Sequence, residues 1–208
     1  MLALARCRQL AAWALALGLW MAASPAAAIQ EIRIGVLSHR GTDLTLAHWQ
    51  ATADYLTTAL EGYRFEIVPL PFSRITEFVE MEFVDFILVN PGIYVDLEVR
   101  QGISRLATLN NRVGPLSLNQ FSSVIFTRQE RQDLNRLADL AGQAFLAVDE
   151  TSLGGFEMAW DELLRQGVDP YHDFARLDFA GDHDSVVMAV LLGQADAGTV
   201  RTNILERM

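Results

Sequence analysis

From residue 31 onward the chain alternates short β-branched runs with segments of helical periodicity, and this alternation restricts the fold more than any other feature. "EIRIGVL" (31–37) is an apolar strand-like run, and "TLAHWQATADYLTTAL" (45–60) carries apolar residues at helical spacing. "GYRFEIVPL" (62–70) alternates as a strand, "SRITEFVEM" predicts a short helix and "FVDFILV" (83–89) a buried strand. "PGIYVDLEVRQG" predicts a helix opened by proline and closed by glycine, and "SRLATL" closes the set. Strands joined by crossover helices predict an α/β fold with a mainly parallel sheet.

The segment "NNRVGPLSLNQ" (110–120) breaks the alternation with Asn, Gly and Pro and reads as a crossover or linker. A second set follows: "FSSVIFTR" (strand), "DLNRLADLAG" (helix), "QAFLAVD" (strand), "GGFEMAWDELLRQG" (helix), "VDPYHDF" (turn), "RLDFAG" (strand), "HDSVVMAVLLGQ" (helix) and "ADAGTV" (short strand). "RTNILERM" then looks like the start of another helix. The second set is complete and the first has only its amino-terminal part, so the first lobe is expected to be incomplete in these 208 residues.

Ahead of the alternation lies an export signal. Arg6 and Arg8 form a basic region, "LAAWALALGLWMAA" an apolar core, and "SPAAA" a small-residue cleavage site, predicting cleavage after Ala28. An uncleaved membrane anchor is the alternative. The single cysteine, Cys7, lies within this segment, so the mature chain has neither a disulfide nor a thiolate metal site. Setting Arg6 and Arg8 aside leaves 14 basic against 26 acidic side chains, a net charge of about −12, which argues against nucleic acid and anionic lipid as partners. With no lysine, a Schiff base, a lysine general base and a Walker-type phosphate grip are all excluded.

Four strand-to-helix junctions could hold a ligand. In "VDETSLGGFEMAW" (148–160), Asp149 or Thr151 could cap the helix, with Ser152, Gly154 and Gly155 beside its start. The loop is either an anion cradle or a well-capped turn. In "GDHDSVVMAV", His183 and Asp184 sit at the carboxyl side of a strand, where open α/β sheets bind ligands; the alternative is an Asp cap with an exposed histidine. In "VNPGIY", Asn90 and Tyr94 flank a helix start, and Tyr94 either reaches a cleft or packs into its own lobe. In "LSHRGTD", Arg40 is the best counter-charge for an anion, or else a solvated surface arginine. No nucleophile elbow, zinc motif, dinucleotide fingerprint or calcium loop is present, so no cofactor and no metal is expected.

"IGVLSHRGTD", "FEIVPLPF", "VDFILVNPGIY", "FSSVIFTR", "LADLAGQAFLAVDETSLGGFEMAW" and "GDHDSVVMAVLLGQADAGTVRTNILERM" together carry a resemblance. From about residue 31 to its end the chain resembles the periplasmic binding proteins of the phosphate, phosphite and phosphonate ABC-transporter family. It is most similar to the branch found as amino-terminal sensor domains of bacterial histidine kinases, including tetrathionate sensors. The resemblance implies the type II periplasmic-binding fold, two α/β lobes with a ligand cleft between them. It implies that the loop at Thr151, Ser152 and Gly154, the junction at His183 and Asp184, and Tyr94, Asn90 and Arg40 line that cleft. In phosphonate binders the loop typically reads Ser-Thr-Ser-x-Gly; here Glu150 replaces the leading serine, and a carboxylate beside a dianion costs affinity unless it points away.

The expected organisation is a signal peptide or anchor (1–28), the amino-terminal part of lobe 1 (29–110), lobe 2 (111–199), and the start of a return to lobe 1 (200–208). The expected function is a non-catalytic, periplasmic solute-binding domain. It closes on a small anion of the phosphonate, phosphate or sulfur-oxyanion class and serves as the input domain of a two-component histidine kinase, its partner being the membrane and kinase region of the same polypeptide. A free binding component serving an ABC permease is the alternative, and an enzyme on the same fold a more distant one. Thr151→Ala with Ser152→Ala is expected to abolish binding without affecting stability.

Overall fold

A computed structural model describes residues 28–208. All of the predicted export segment except Ala28 lies outside the described residues, Cys7 included. Among the described residues no helix is long and apolar enough to cross a membrane.

The first alternating set builds a three-stranded parallel sheet. Its elements are β1 (Gln30–Leu37), α1 (Thr42–Ala59), β2 (Tyr63–Leu70), a 3₁₀ turn (Phe72–Arg74) leading into α2 (Ile75–Glu80), β3 (Phe86–Leu88) and α3 (Pro91–Gln101). β1 runs between β2 and β3 in register Leu37↔Leu70 and Val36↔Leu88. All three strands therefore end at one edge. α1 covers one face, burying Val36, Ala53 and Ile67. Leu70, Phe72, Ile75, Ile93 and Leu97 are buried together in a second cluster.

The second set builds a four-stranded mixed sheet from β6 (Ser123–Thr127), β7 (Ala144–Ala147), β8 (Arg176–Phe179) and β9 (Ala197–Arg201), in the order β6-β9-β7-β8. β7 is parallel to β8 and β9, but β6 runs antiparallel to β9 with Ser123 opposite Arg201. Its helices are α4 (Met158–Arg165), α5 (Pro170–Asp173) and α6 (His183–Leu191). Phe145, Phe156, Leu163, Val168 and Phe174 form this lobe's own core.

Two expectations are corrected, and two segments take a form the sequence left open. Residues 104–109, which close the first set, run without regular secondary structure, and Leu106 is 83% exposed. The crossover at 110–120 contains a small antiparallel hairpin, β4 (Asn111–Val113) with β5 (Leu116–Leu118), turning through Gly114 at φ 58°. "DLNRLADLAG" makes only a 3₁₀ turn, Leu137–Leu140, because the Asp139 carboxylate accepts from the Asn135 and Arg136 amides and closes the chain tightly. "VDPYHDF", read as a turn, contains α5, capped by Asp169 accepting from the Tyr171 amide.

The two sheets are not independent bodies. Leu37, Leu70, Ile93 and Leu97 of the first share one apolar cluster with Val148, Val186, Val200 and Ile204 of the second. That shared burial draws together the edges where β1, β2 and β3 end and where β7, β8 and β9 end.

Candidate functional site

Each facing edge contributes a strand-end loop, and the loops bond to one another. After β1, the His39 carbonyl accepts from the His183 amide at the start of α6 (3.0 Å). Arg40 donates through Nε and Nη2 to both carboxylate oxygens of Asp184, at 2.6 and 2.9 Å. The Arg40 and Asp184 side chains are 19% and 28% exposed. The counter-charge expected of Arg40 is thus already taken by a carboxylate of the opposite lobe, and Arg40 is not a solvated surface arginine either. A bidentate pair of this kind fixes geometry as well as charge.

After β3, Asn90 does two things. Its Oδ1 accepts from the Ile93 amide and caps α3 (3.0 Å), while its Nδ2 donates to the Thr151 carbonyl on the other lobe (3.3 Å). Tyr94 is half-buried, and its hydroxyl donates to Glu98 on its own helix, so it makes no bond across the cleft.

The loop after β7 is capped by Ser152 rather than by Asp149 or Thr151. Ser152 is 2% exposed and its Oγ accepts from the Gly155 amide at 3.1 Å, entering a π-helical turn, Leu153–Glu157, ahead of α4. This revises the expected silence of Thr151→Ala with Ser152→Ala, since an alanine at 152 removes a buried cap worth about 1 kcal/mol. Thr151 is exposed, with its amide and hydroxyl both donating to Asp149 Oδ1. Gly154 is buried; a Cβ there would lie 2.9 Å from the Phe121 ring and 3.0 Å from Arg201 Cβ. Glu150 is exposed and accepts from the Tyr171 hydroxyl of α5 (3.3 Å), which holds its carboxylate against its own lobe.

After β8, Asp182 caps α6 by accepting from the Ser185 amide (2.8 Å). His183 is 2% exposed, not the exposed histidine of the alternative reading. Its Nδ1 accepts from the Arg201 amide (3.3 Å), which leaves the ring proton on Nε2. His39 meets it edge-on, with ring centroids 5.8 Å apart.

Burial, then the charge of Arg201, lowers His39 to about 4. Burial, then His39 and the charges of Arg201 and Arg40, lowers His183 to about 3. Both rings are neutral near pH 7. The sign follows from where protons bind: below about pH 6.5 the unfolded chain protonates these histidines and the folded chain does not. Stability attributable to the pair is therefore complete above pH 6.5 and is lost as pH falls toward 4. Denaturant titrations from pH 7 to 4 are expected to show this loss, and His183→Asn to flatten it; an acid limb identical in the variant would contradict the burial of His183.

Arg201, at the end of β9, was not singled out in the sequence. The signal is present in the sequence: Arg201 closes an apolar strand just as the other candidates do. Its guanidinium is half-buried, lies 4.5 Å over the Phe121 ring, and has no hydrogen-bond or carboxylate partner among the described residues. Burial, then the charge of Arg207, pushes it down from its ordinary value, though a guanidinium stays charged at any physiological pH.

A hollow of about 570 Å³ lies on the flank of the second lobe, lined by Ser123, Leu153, Glu157, Asp161 and Glu162 among others. Its three carboxylates make it unsuited to an anion, and it is separate from the histidine pair. Among the described residues no group of His, Cys, Asp and Glu could hold a metal ion.

The family described as "ABC transporter, phosphonate, periplasmic substrate-binding protein" matches residues 34–208. Tetrathionate sensor histidine kinase TtrS of Salmonella typhimurium is 33% identical over 177 residues, covering 84% of this chain; the chain spans only 30% of that protein's length. PhnD1 of Prochlorococcus marinus, solved with methylphosphonate, superposes with a TM-score of 0.72 at 18% identity, over 86% of this chain and 66% of its own. A binding component of an ABC phosphonate transporter from Pseudomonas aeruginosa gives 0.71 at 19% identity, over 86% and 59%. These structures share the two-lobed type II periplasmic-binding fold with this chain.

Proposed function

This chain belongs to the family of periplasmic substrate-binding proteins of phosphonate ABC transporters, and from that membership we propose that it is an exported domain that closes on a small anionic solute. The observation that carries the proposal is the convergence of strand-end loops from both sheets on one buried cluster, bonded across by Arg40–Asp184, Asn90–Thr151 and His39–His183. Thr151, Ser152, Gly154, His183, Asp184, Asn90 and Arg201 supply its walls. Arg40 serves as a strut between lobes, and Tyr94 belongs to the rim. A solute that bridges the two edges favours the closed arrangement by its preference for that arrangement alone.

The closing domain serves as the sensory input of a two-component histidine kinase, a reading supported by the likeness to TtrS. The family's own description favours delivery of solute to an ABC permease as the second reading. The coding sequence of the whole polypeptide separates them: a further membrane segment and a kinase region for the first, a free binding protein for the second.

Thermal melting against phosphate, methylphosphonate, methanesulfonate, thiosulfate and tetrathionate tests the binding itself. A ligand at a hundred times its Kd stabilises by about 2.7 kcal/mol, which for a domain of this size raises Tm by roughly 5–10 °C. At least one anion is expected to do so, with a smaller radius of gyration by X-ray scattering. No shift with any of them would overturn the proposal.

A further inference from the structure

Four basic groups, Arg40, His39, His183 and Arg201, meet at this cluster, yet little of the positive charge is available. Arg40 is held bidentate by Asp184. His39 and His183 are enclosed between the lobes and uncharged near neutral pH. Of the two half-buried arginines at this cluster, Arg40 and Arg201, only Arg201 has no carboxylate partner among the described residues, and it is held by stacking on Phe121 and by its Cβ against Gly154. Beside it, His183 carries its proton on Nε2, since Nδ1 accepts from the Arg201 amide, and that Nε2–H has no partner among the described residues. His39 Nδ1 donates to the Leu37 carbonyl (3.4 Å), which leaves a lone pair on its Nε2. Asp149, Glu150 and Glu157 stand on the neighbouring loop, and Arg207 is exposed on the last turn with Glu206 beside it.

From this balance we infer that the cleft selects an oxyanion head group carrying a single negative charge, held by the Arg201 guanidinium and His183 Nε2–H, and rejects a dianionic head. The inference rests on the solute-binding proposal and specifies the charge of the solute. One half-buried guanidinium compensates one charge; a second negative charge in a partly desolvated site, where Arg40 is already taken by Asp184 and the two histidines are neutral, has no further buried cation to pair with and bears the cost of leaving water. A sulfonate and a singly protonated phosphonate share the selected chemistry. They differ in one respect: only the protonated phosphonate has an O–H to give to the lone pair of His39 Nε2.

Calorimetric titration of the chain with methylphosphonate and with methanesulfonate between pH 9 and 6 decides the matter. The groups facing Arg201 are His183 and Asp184 from α6, His39 and Arg40 from the loop after β1, and Arg207 from the final turn. Neither histidine of the folded chain titrates in that range. Above its second ionisation methylphosphonate is expected to bind about tenfold more tightly for each unit the pH falls, and any affinity for methanesulfonate to stay level. If methanesulfonate fails to bind while methylphosphonate follows that profile, the head is the protonated phosphonate. Arg201→Gln is expected to lower affinity for the bound anion by roughly 10- to 100-fold, the worth of a charge-assisted hydrogen bond, and Arg201→Lys by less. Should Arg201→Gln fail to fold, the wild-type profile and Arg201→Lys still decide. Methylphosphonate affinity that is level or rises with pH, or a folded Arg201→Gln with unchanged affinity, would overturn the inference and leave solute binding standing. Absence of binding by both anions and by every other anion of the melting panel removes the solute-binding proposal, and the inference with it.

Discussion

Phe156→Ala is expected to destabilise the chain by about 4 kcal/mol, lowering Tm by roughly 8–16 °C. Phe156 is 1% exposed and sits in the π-helical turn that leaves the capped loop. Its ring stacks on Trp160 (5.5 Å, 17°), meets Phe179 edge-on (5.0 Å, 90°) and approaches Tyr171 (6.0 Å). Those partners belong to α4, β8 and α5, so three separate backbone elements would have to move to fill the space left by the ring. Poor collapse is what places a Phe→Ala substitution at the high end of its range. Phe156→Leu, which keeps most of the volume, is expected to lose under half as much. Urea denaturation followed by Trp160 fluorescence measures both, and a loss below about 1 kcal/mol for the alanine would contradict this packing.

The preceding residue makes the opposite demand. Gly155→Ala is expected to cost about 3 kcal/mol and to impair anion binding in whatever fraction remains folded. A Cβ at 155 would lie 2.4 Å from Val148 Cγ2, 2.6 Å from Val148 Cβ and 2.7 Å from Ser152 Oγ. Val148 is fully buried in the cluster shared by the two lobes and cannot retreat. Ser152 Oγ could move only by giving up the Gly155 amide it caps. Overpacking of 1–3 kcal/mol and loss of a buried cap of about 1 kcal/mol therefore add at one site. The Val148 amide also donates to the Gly155 carbonyl (3.2 Å), so a shift at 155 is passed to the end of β7, where Thr151 and Ser152 begin. A variant that melts like the parent would show that this backbone has slack the structure does not display.

These adjacent positions indicate how far the sequence could be read. The loop's type was legible, because Thr, Ser and paired glycines after a strand announce a tight, capped turn. Which hydroxyl does the capping was not: Asp149, Thr151 and Ser152 all satisfy the local pattern, and Ser152 takes the role because the turn buries it. The Asp182 cap of α6 and the proline start of α3 were readable, since each is settled within four residues. Glu150 posed an obstacle in the sequence that the hydroxyl of Tyr171, 21 residues further on, removes in space.

The sequence by itself determined most of the elements, the α/β class, the strand-end loops and the family, because periodicity, caps and motifs are properties of neighbouring residues. Tertiary structure alone decided the charge of the site. Arg40 is neutralised by a carboxylate 144 residues away, His183 is held neutral by burial between lobes, and Arg201 has no carboxylate partner among the described residues. Desolvation and Coulomb energy depend on what the fold brings within a few ångströms, and no local stretch of sequence contains that information.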